Sequence, residues 1–238
     1  MIIQRRGDEL LFITQIAHAA LAADLMDAWQ LGGLPDNPRR DAILSATRNH
    51  DDGWREEDAE LYVDKEGSPQ DFVAVPPEIK QRIWPRAAGR LGAESPYIGA
   101  LVAEHALTVY ARLRDDPAWH RFFADMERTR DALLARASPD EAAGAADDYR
   151  FVRIGDQLSL IFCNGWTAPL EGPGYRAILN GNTLEISPDP FDGRRVPMQI
   201  EARSVPPHQY PSAAELRTAC AASPVRMLEG EAIGTRHS

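Results

Sequence analysis

Apolar and polar positions alternate along this chain in three textures. From Met1 to Ile13, two short apolar stretches flank Gly7-Asp8-Glu9, and the second, Leu10 to Ile13, is rich in β-favouring residues, which predicts a β-hairpin over residues 1–13. The spacing then becomes helical. Thr14 can cap a helix running to about Trp29, in which His18, Leu21, Ala22, Leu25 and Trp29 share one face while Asp24 and Asp27 point elsewhere. Past the breakers Gly32-Gly33 and Pro35 to Pro38, a second helix from Asp41 lines up Ile43, Ala46, Thr47, His50 and Asp51 and ends near Gly53.

Charges and the turn formers Gly67, Ser68 and Pro69 predict a long covering loop with little regular structure from Trp54 to Pro77. Helical spacing resumes at Glu78 to Leu91. After Ser95-Pro96 it forms an apolar stripe of Ile98, Leu101, Val102, His105, Val109 and Leu113. Another helix is predicted over Trp119 to Ala137, and Ser138-Pro139-Asp140-Glu141 opens the next. From about Ala142 to Cys163 the pattern is apolar nearly all round, as for a central helix, with Asp156 in its middle.

After Gly165 the texture changes to Pro, Gly and short β-like runs: Tyr175 to Leu179, Thr183 to Ser187 and Val196 to Ala202, with the turn Asn180-Gly181-Asn182 between the first two. Ser212 with Glu215 has capping-box spacing for a last helix to Ala222, beyond which the chain is expected to be ragged. These patterns predict a mainly α protein. A helical domain over residues 1–165, including the N-terminal hairpin, would carry a small β-rich region over 166–238. The hairpin and the C-terminal strands would make a small antiparallel sheet appended to the bundle.

Composition narrows the function classes. With 238 residues, 44% hydrophobic and 26% charged, the chain can bury a substantial core. Its 26 Lys+Arg against 36 Asp+Glu give a net charge of -10 and no basic cluster, which argues against nucleic acid and acidic membrane surfaces as partners. A small-molecule substrate, phosphorylated or not, and a homo-oligomer stay open. Cys163 and Cys220 have no CxxC spacing, so buried thiols in a reducing cytoplasm are expected. No signal-peptide apolar region or membrane-spanning run is visible.

Against this background four features stand where a helix ought to bury hydrocarbon: His18, the dyad His50-Asp51, His105 and Asp156. A carboxylate inside an apolar helix costs several kcal/mol unless it is paired or bound to a cation. Imidazoles and carboxylates on inward faces of separate helices are how a bundle builds a metal site for Mn, Fe or Zn, and Mg is a further candidate. Asp52 is a candidate second carboxylate for orienting an imidazole or a water. His120, His208 and His237 lie in polar or terminal contexts and carry no assigned role.

A His on a first helix, a His-Asp pair ending a second and a distant Asp on a late helix resemble the HD superfamily of metal-dependent phosphohydrolases. The segments Phe12-Ile13-Thr14-Gln15, His50-Asp51-Asp52-Gly53-Trp54, Asp71-Phe72 and Asp156 to Leu160 more closely resemble an uncharacterised bacterial family, domain of unknown function 3891. The resemblance implies an HD-like helical bundle with His18, His50, Asp51 and Asp156 as metal ligands. Trp54 replaces the basic residue often found after the glycine of that pattern, leaving Arg48, Arg55 and Lys65 as substitutes for phosphate recognition.

The expected function is hydrolysis of a small phosphoester by a divalent metal, with Asp51 and Asp52 as catalytic carboxylates. Two other classes compete. A di-iron oxygenase would use His105 in a second metal sphere, and a catalytically degenerate binding module would hold Asp156 in a salt bridge.

Overall fold

The structure, a computed structural model, describes residues 1–235. A hairpin of β1 (Ile2–Arg6) and β2 (Glu9–Ile13) precedes the helices α1 (Gln15–Asp27) and α2 (Arg40–Asn49). A 3-10 turn at Asp52–Trp54 runs into the short α3 (Arg55–Glu60), followed by α4 (Pro77–Glu94), α5 (Pro96–Val109), α6 (His120–Leu134) and the long α7 (Pro139–Asn164). The chain then forms β3 (Leu170–Gly172), β4 (Tyr175–Asn180), β5 (Thr183–Ser187), β6 (Arg195–Val205), α8 (Ala213–Ala222) and β7 (Val225–Gly234).

Local chemistry sets the helix ends. Thr14 accepts a hydrogen bond from the Ala17 amide at the start of α1. Ser138 and Glu141 close a reciprocal capping box with Pro139 at the first position of α7. Gly165, in the left-handed conformation at φ 68°, ends α7.

The sheet overturns the expected architecture. The chain is about 51% helix and 20% strand, and its strands form one mixed, curled half-barrel rather than a small appendage to a mainly α bundle. The seven strands run in the order β1-β2-β6-β7-β5-β4-β3. They are not all antiparallel, because β5 pairs with β7 in parallel through Leu184 opposite Ala232. The decisive element is β7, which lies between β6 and β5 in the stretch expected to be ragged. Its sequence, Val225 to Gly234, alternates poorly and carries Glu229, Gly230 and Glu231. Hydrogen bonding on both sides, rather than local propensity, holds it extended.

Both faces of the sheet are covered where the hairpin joins it. Ile2, Leu11 and Ile13 point into the main core with Leu25, Met26, Phe151 and Ile161 of α1 and α7, together with Val196, Met198, Ile200 and Ala202 of β6. Leu10, Phe12 and Val205 face the other way, against Leu216 and Cys220 of α8. From Arg195 to Ala202, β6 alternates strictly in and out, the period of two expected of a strand with one buried face.

A second core lies under α4, α5 and α6, built on Trp54, Ile83, Trp84, Ala103 and Phe122. The stretch 54–77, expected to be an irregular loop, instead carries α3 and a bridge between Val63 and Pro69. Trp54 is buried. Both cysteines are free and buried, and no described helix is long and apolar enough to cross a membrane.

Candidate metal centre

Four helical segments aim polar side chains at one point. His18 comes from the first turns of α1, His50 and Asp51 from the end of α2, His105 from α5 and Asp156 from the middle of α7. Two glycines let these segments approach closely. A Cβ on Gly155 would meet Met26 Cγ at 2.8 Å and Thr47 Cγ2 at 2.9 Å, so α7 rests almost backbone-first on α1 and α2 just where Asp156 follows. A Cβ on Gly53 would meet the Ile83 carbonyl oxygen at 2.0 Å, so the turn after the dyad sits directly on α4.

An arginine ladder on α4 reinforces that seat. Arg90 Nε donates to Asp52 Oδ2 at 2.7 Å, and Arg82 Nη2 donates to the buried Glu57 at 2.6 Å. Arg86 reaches both Glu56, at 2.8 Å, and Glu57. Asp52, expected as a catalytic carboxylate, is therefore held by Arg90 and by Arg55 at 3.1 Å. Its Oδ1 accepts from Arg55 and its Oδ2 from Arg90, so both side-chain oxygens have guanidinium partners.

At the centre, His18 Nε2 lies 2.7 Å from Asp51 Oδ2, and His50 Nε2 lies 3.6 Å from that oxygen and 3.3 Å from Asp156 Oδ1. His105 Nε2 is 3.9 Å from Asp156 Oδ2. His18, His50 and Asp51 form one set with mutually close ligand atoms, and His50, His105 and Asp156 form another, each within 4.8 Å. All five residues are buried.

The outward nitrogens show which ring atoms are available. His50 Nδ1 lies 2.7 Å from the Thr47 carbonyl, which can only accept, so Nδ1 carries the proton and Nε2 presents a lone pair in the neutral ring. Ser159 Oγ donates to the Asp156 carbonyl, so it accepts from His18 Nδ1 at 2.8 Å and leaves His18 Nε2 in the same state. His105 Nδ1 contacts the Tyr149 hydroxyl at 3.1 Å.

Two imidazole lone pairs thus face carboxylate oxygens, an arrangement that is repulsive unless a proton or a cation lies between. His50 Nε2, fully buried, makes no hydrogen bond of acceptable alignment with any protein atom. The donor set of imidazoles and carboxylates, each ring tied from behind, fits a divalent ion of the Zn, Mn or Fe type.

The protonation energetics report the same electrostatic hole. Burial opposes charge on His50, but Asp51 and Asp156 outweigh it and push the imidazole up to about 9. Burial also opposes ionisation of Asp51, yet His50 and His18 hold its carboxyl below the ordinary range. Asp156 is likewise held down by His50, His105 and His18 against burial. His105, for which burial dominates, falls to about 4 and stays neutral.

A cavity of about 60 Å³ opens beside the cluster, lined by Gln15, Trp54, Phe72, Trp84, Val109, Tyr110 and Leu160 as well as His18, Asp51, His105 and Asp156. No Lys or Arg belongs to the lining. Of the expected phosphate-binding substitutes, Arg48 pairs with Asp24 and Arg55 with Asp52, while Lys65 is exposed on a turn. Val109, expected on the buried stripe of α5, is 42% exposed at the rim.

The five ligand candidates named from sequence are thus together. Sequence reasoning missed the groups around them: Thr47, Tyr149 and Ser159 behind the rings, and Gln15, Trp84 and Tyr110 in the cavity wall. Ser159 had a legible signal, one helical turn after Asp156. Trp84 had none, being an ordinary aromatic in an amphipathic helix. His237 lies outside the described residues.

The family model described as protein of unknown function (DUF3891) matches residues 1–207, and the chain belongs to that family. The match takes in every residue of the cluster and stops in the loop after β6. Neither the curated proteins nor the solved structures compared with the chain contain a match.

Proposed function

We propose that the protein is a metal-dependent hydrolase of small molecules, a divergent relative of the HD-type enzymes. The observation that carries the reading is the orphaned, fully buried Nε2 of His50, facing two carboxylates with its ring locked by the Thr47 carbonyl. His18, His50, Asp51 and Asp156 would hold the ion, with His105 at the edge of the same set. A bound ion of this kind polarises a substrate oxygen and brings the pKa of a coordinated water to about 7.

The chain's own residues supply the rest. Ser159 and Thr47 hold the His18 and His50 rings in one tautomer and orientation, so little reorganisation accompanies binding. Trp54, Phe72 and Leu160 line the cavity beside the cluster with hydrocarbon, a low-dielectric setting that strengthens charge interactions next to it. Asp51 is the carboxylate we assign to orienting the attacking water. Phosphoesters, the substrate class that HD likeness implies, come first in a screen.

A second reading, oxygen activation by two irons, is favoured by one observation: His105 enters a donor set with His50 and Asp156. The two sets share His50, whose ring has one inward nitrogen, so His50 would serve one ion while His18 with Asp51 and His105 with Asp156 would supply the other donors.

Elemental mass spectrometry of the purified protein and of an Asp51→Ala variant, with folding followed by circular dichroism, tests the proposal. Near-stoichiometric manganese or zinc that is lost in the variant supports a hydrolytic centre, and two irons per chain with oxygen uptake would replace it by the second reading. Negligible metal in both proteins after reconstitution would sink both.

A further inference from the structure

His105 is tied from behind differently from the other two rings of the cluster. Behind His18 and His50 stand acceptors, Ser159 Oγ and the Thr47 carbonyl, so each of those rings keeps a proton on Nδ1. Behind His105 Nδ1 stands the Tyr149 hydroxyl, at 3.1 Å. A phenol ionises at about 10, far below a neutral imidazole N–H, and a ring nitrogen is a much stronger base than a phenol oxygen. The favoured hydrogen bond therefore runs from the Tyr149 O–H to His105 Nδ1. The phenol oxygen is taken from another side: burial opposes ionisation of Tyr149, and the Thr108 side chain, hydrogen-bonded to it, favours ionisation, as a donor does.

With Nδ1 accepting, the one proton of a neutral His105 ring lies on Nε2. Nε2 stands 3.9 Å from Asp156 Oδ2, where an N–H is attracted and a third lone pair would be repelled. That separation is too long for a hydrogen bond, and Nε2 makes none with any described residue. Unlike His50 Nε2 it is not sealed from solvent, and the open space beside the ring is the cavity that His105 lines. Edge-on packing against His50 and Trp84, with ring centroids 4.8 and 5.4 Å away, fixes where the ring points.

We propose that His105 is a catalytic hydrogen-bond donor rather than a metal ligand. Its Nε2–H reaches the substrate oxygen on which negative charge develops, and Tyr149 is the positioning residue that keeps the proton on that nitrogen. The catalytic role rests on the metal-dependent hydrolase reading, whereas the tautomer stands on the Tyr149 contact alone. A neutral imidazole suits the task because it donates a hydrogen bond and keeps its proton, and a donor already in place acts on developing charge without reorganising. The histidines are thereby divided: His18 and His50 present lone pairs, and His105 presents a proton. A second ion in the set of His50, His105 and Asp156 would need His105 Nε2 without that proton.

Nitrogen NMR of the full-length, ¹⁵N-histidine-labelled protein tests the assignment, first metal-free and then zinc-reconstituted, each ring being identified by the loss of its signals in a single His variant. His105 should show a protonated Nε2 and a bare Nδ1 in both states, in the zinc protein the reverse of His18 and His50. Tyr149→Phe should shift His105 toward the other tautomer. His105→Phe, with folding checked by circular dichroism, should lose less than about tenfold in zinc affinity, below the range for changes behind a ligand. Inorganic phosphate titrated into the zinc protein should shift the His105 Nε2–H signal. It should bind roughly 10- to 100-fold more weakly to His105→Phe, as for a hydrogen bond to a charged group, with partial recovery in His105→Gln, which keeps an amide N–H.

A zinc-bound His105 Nε2, or a His105 proton on Nδ1 in the metal-free protein, overturns the proposal. So does equal phosphate affinity in the wild type and His105→Phe, no binding in either included. If the wild type takes up no zinc, the hydrolase reading and the catalytic role fall together, and the metal-free spectrum shows whether the tautomer stands without them.

Discussion

Helix α7 carries two buried carboxylates about two turns apart, and they are compensated in opposite ways. Asp148 accepts from Arg39 Nε at 2.5 Å, from the Tyr97 hydroxyl at 2.5 Å and from Asn37 Nδ2 at 2.6 Å. Burial raises its pKa, but Arg39, Tyr97 and Asn37 outweigh that and hold it below the ordinary range. A permanent cation and two neutral donors complete the site. Asp156 faces only imidazoles, whose charge is conditional and whose inward nitrogens are already turned toward it. The first arrangement is closed and ties α7 to α5 and to the segment before α2; the second is open to a cation. A fixed Arg partner marks a structural carboxylate, and a ring of locked imidazoles marks a candidate metal ligand.

The sharpest way to break the comparison is to remove each carboxylate. Asp148→Ala should cost about 3–5 kcal/mol of stability in urea unfolding, because the Arg39 charge is left without its partner. The folded fraction should still take up metal. Asp156→Asn should put its main effect on the metal, with affinity reduced beyond the roughly 100-fold seen for outer-shell changes and a smaller loss of stability in the metal-free protein than Asp148→Ala shows. Calorimetric titration with zinc reads the second number. If Asp148→Ala lost metal selectively, or if Asp156→Asn unfolded the metal-free chain, the distinction between the two sites would fail.

Ser159→Ala sharpens the contrast within the open site. Losing the acceptor that fixes His18 should lower zinc affinity about 10–100-fold while the ligands remain in place. Acid titration gives the smallest effect. Asp148 and Glu57 are both held low by arginine contacts acting against burial. Their contribution to stability is therefore full above the ordinary carboxylate range and disappears as pH falls through their depressed folded-state values. Metal-free protein should lose stability on acidification through this range, and Asp148→Asn should flatten the slope. An unchanged slope in the variant would remove Asp148 from the acid-sensitive set.

Local pattern carried a large part of the fold. Residues such as His18, Leu21 and Leu25 share a helix face because a helix repeats every 3.6 residues, and caps such as Thr14 and Ser138 act on their own amides. That is why α1, α2, α5 and α7, and the ligand candidates on or just beyond them, were readable in the chain. His105 and Asp156 stood out for a related reason: a polar group on an apolar stripe needs a partner, and the stripe is visible in sequence. The short β4 and β5 were legible from alternation and their turn.

What the chain could not reveal depends on partners distant in sequence. Strand β7 is extended because β6 and β5 flank it, and a parallel pairing of Leu184 with Ala232 leaves no local mark. That single insertion turns a supposed appendage into a seven-stranded half-barrel. Asp52 reads as a neighbour of the dyad, yet Arg90, on a helix far along the chain, donates to its Oδ2. Gln15 and Trp84 look like a helix-start residue and a core aromatic; only the tertiary fold, in which the turn at Asp52–Trp54 touches both α1 and α4, brings the two residues to the wall of one cavity. Sequence determines which side chains turn inward, because that is a property of one helix. Which of them meet, and which polar atoms are left without a partner, is decided by the tertiary structure, because hydrogen bonds and cavities belong to several segments at once.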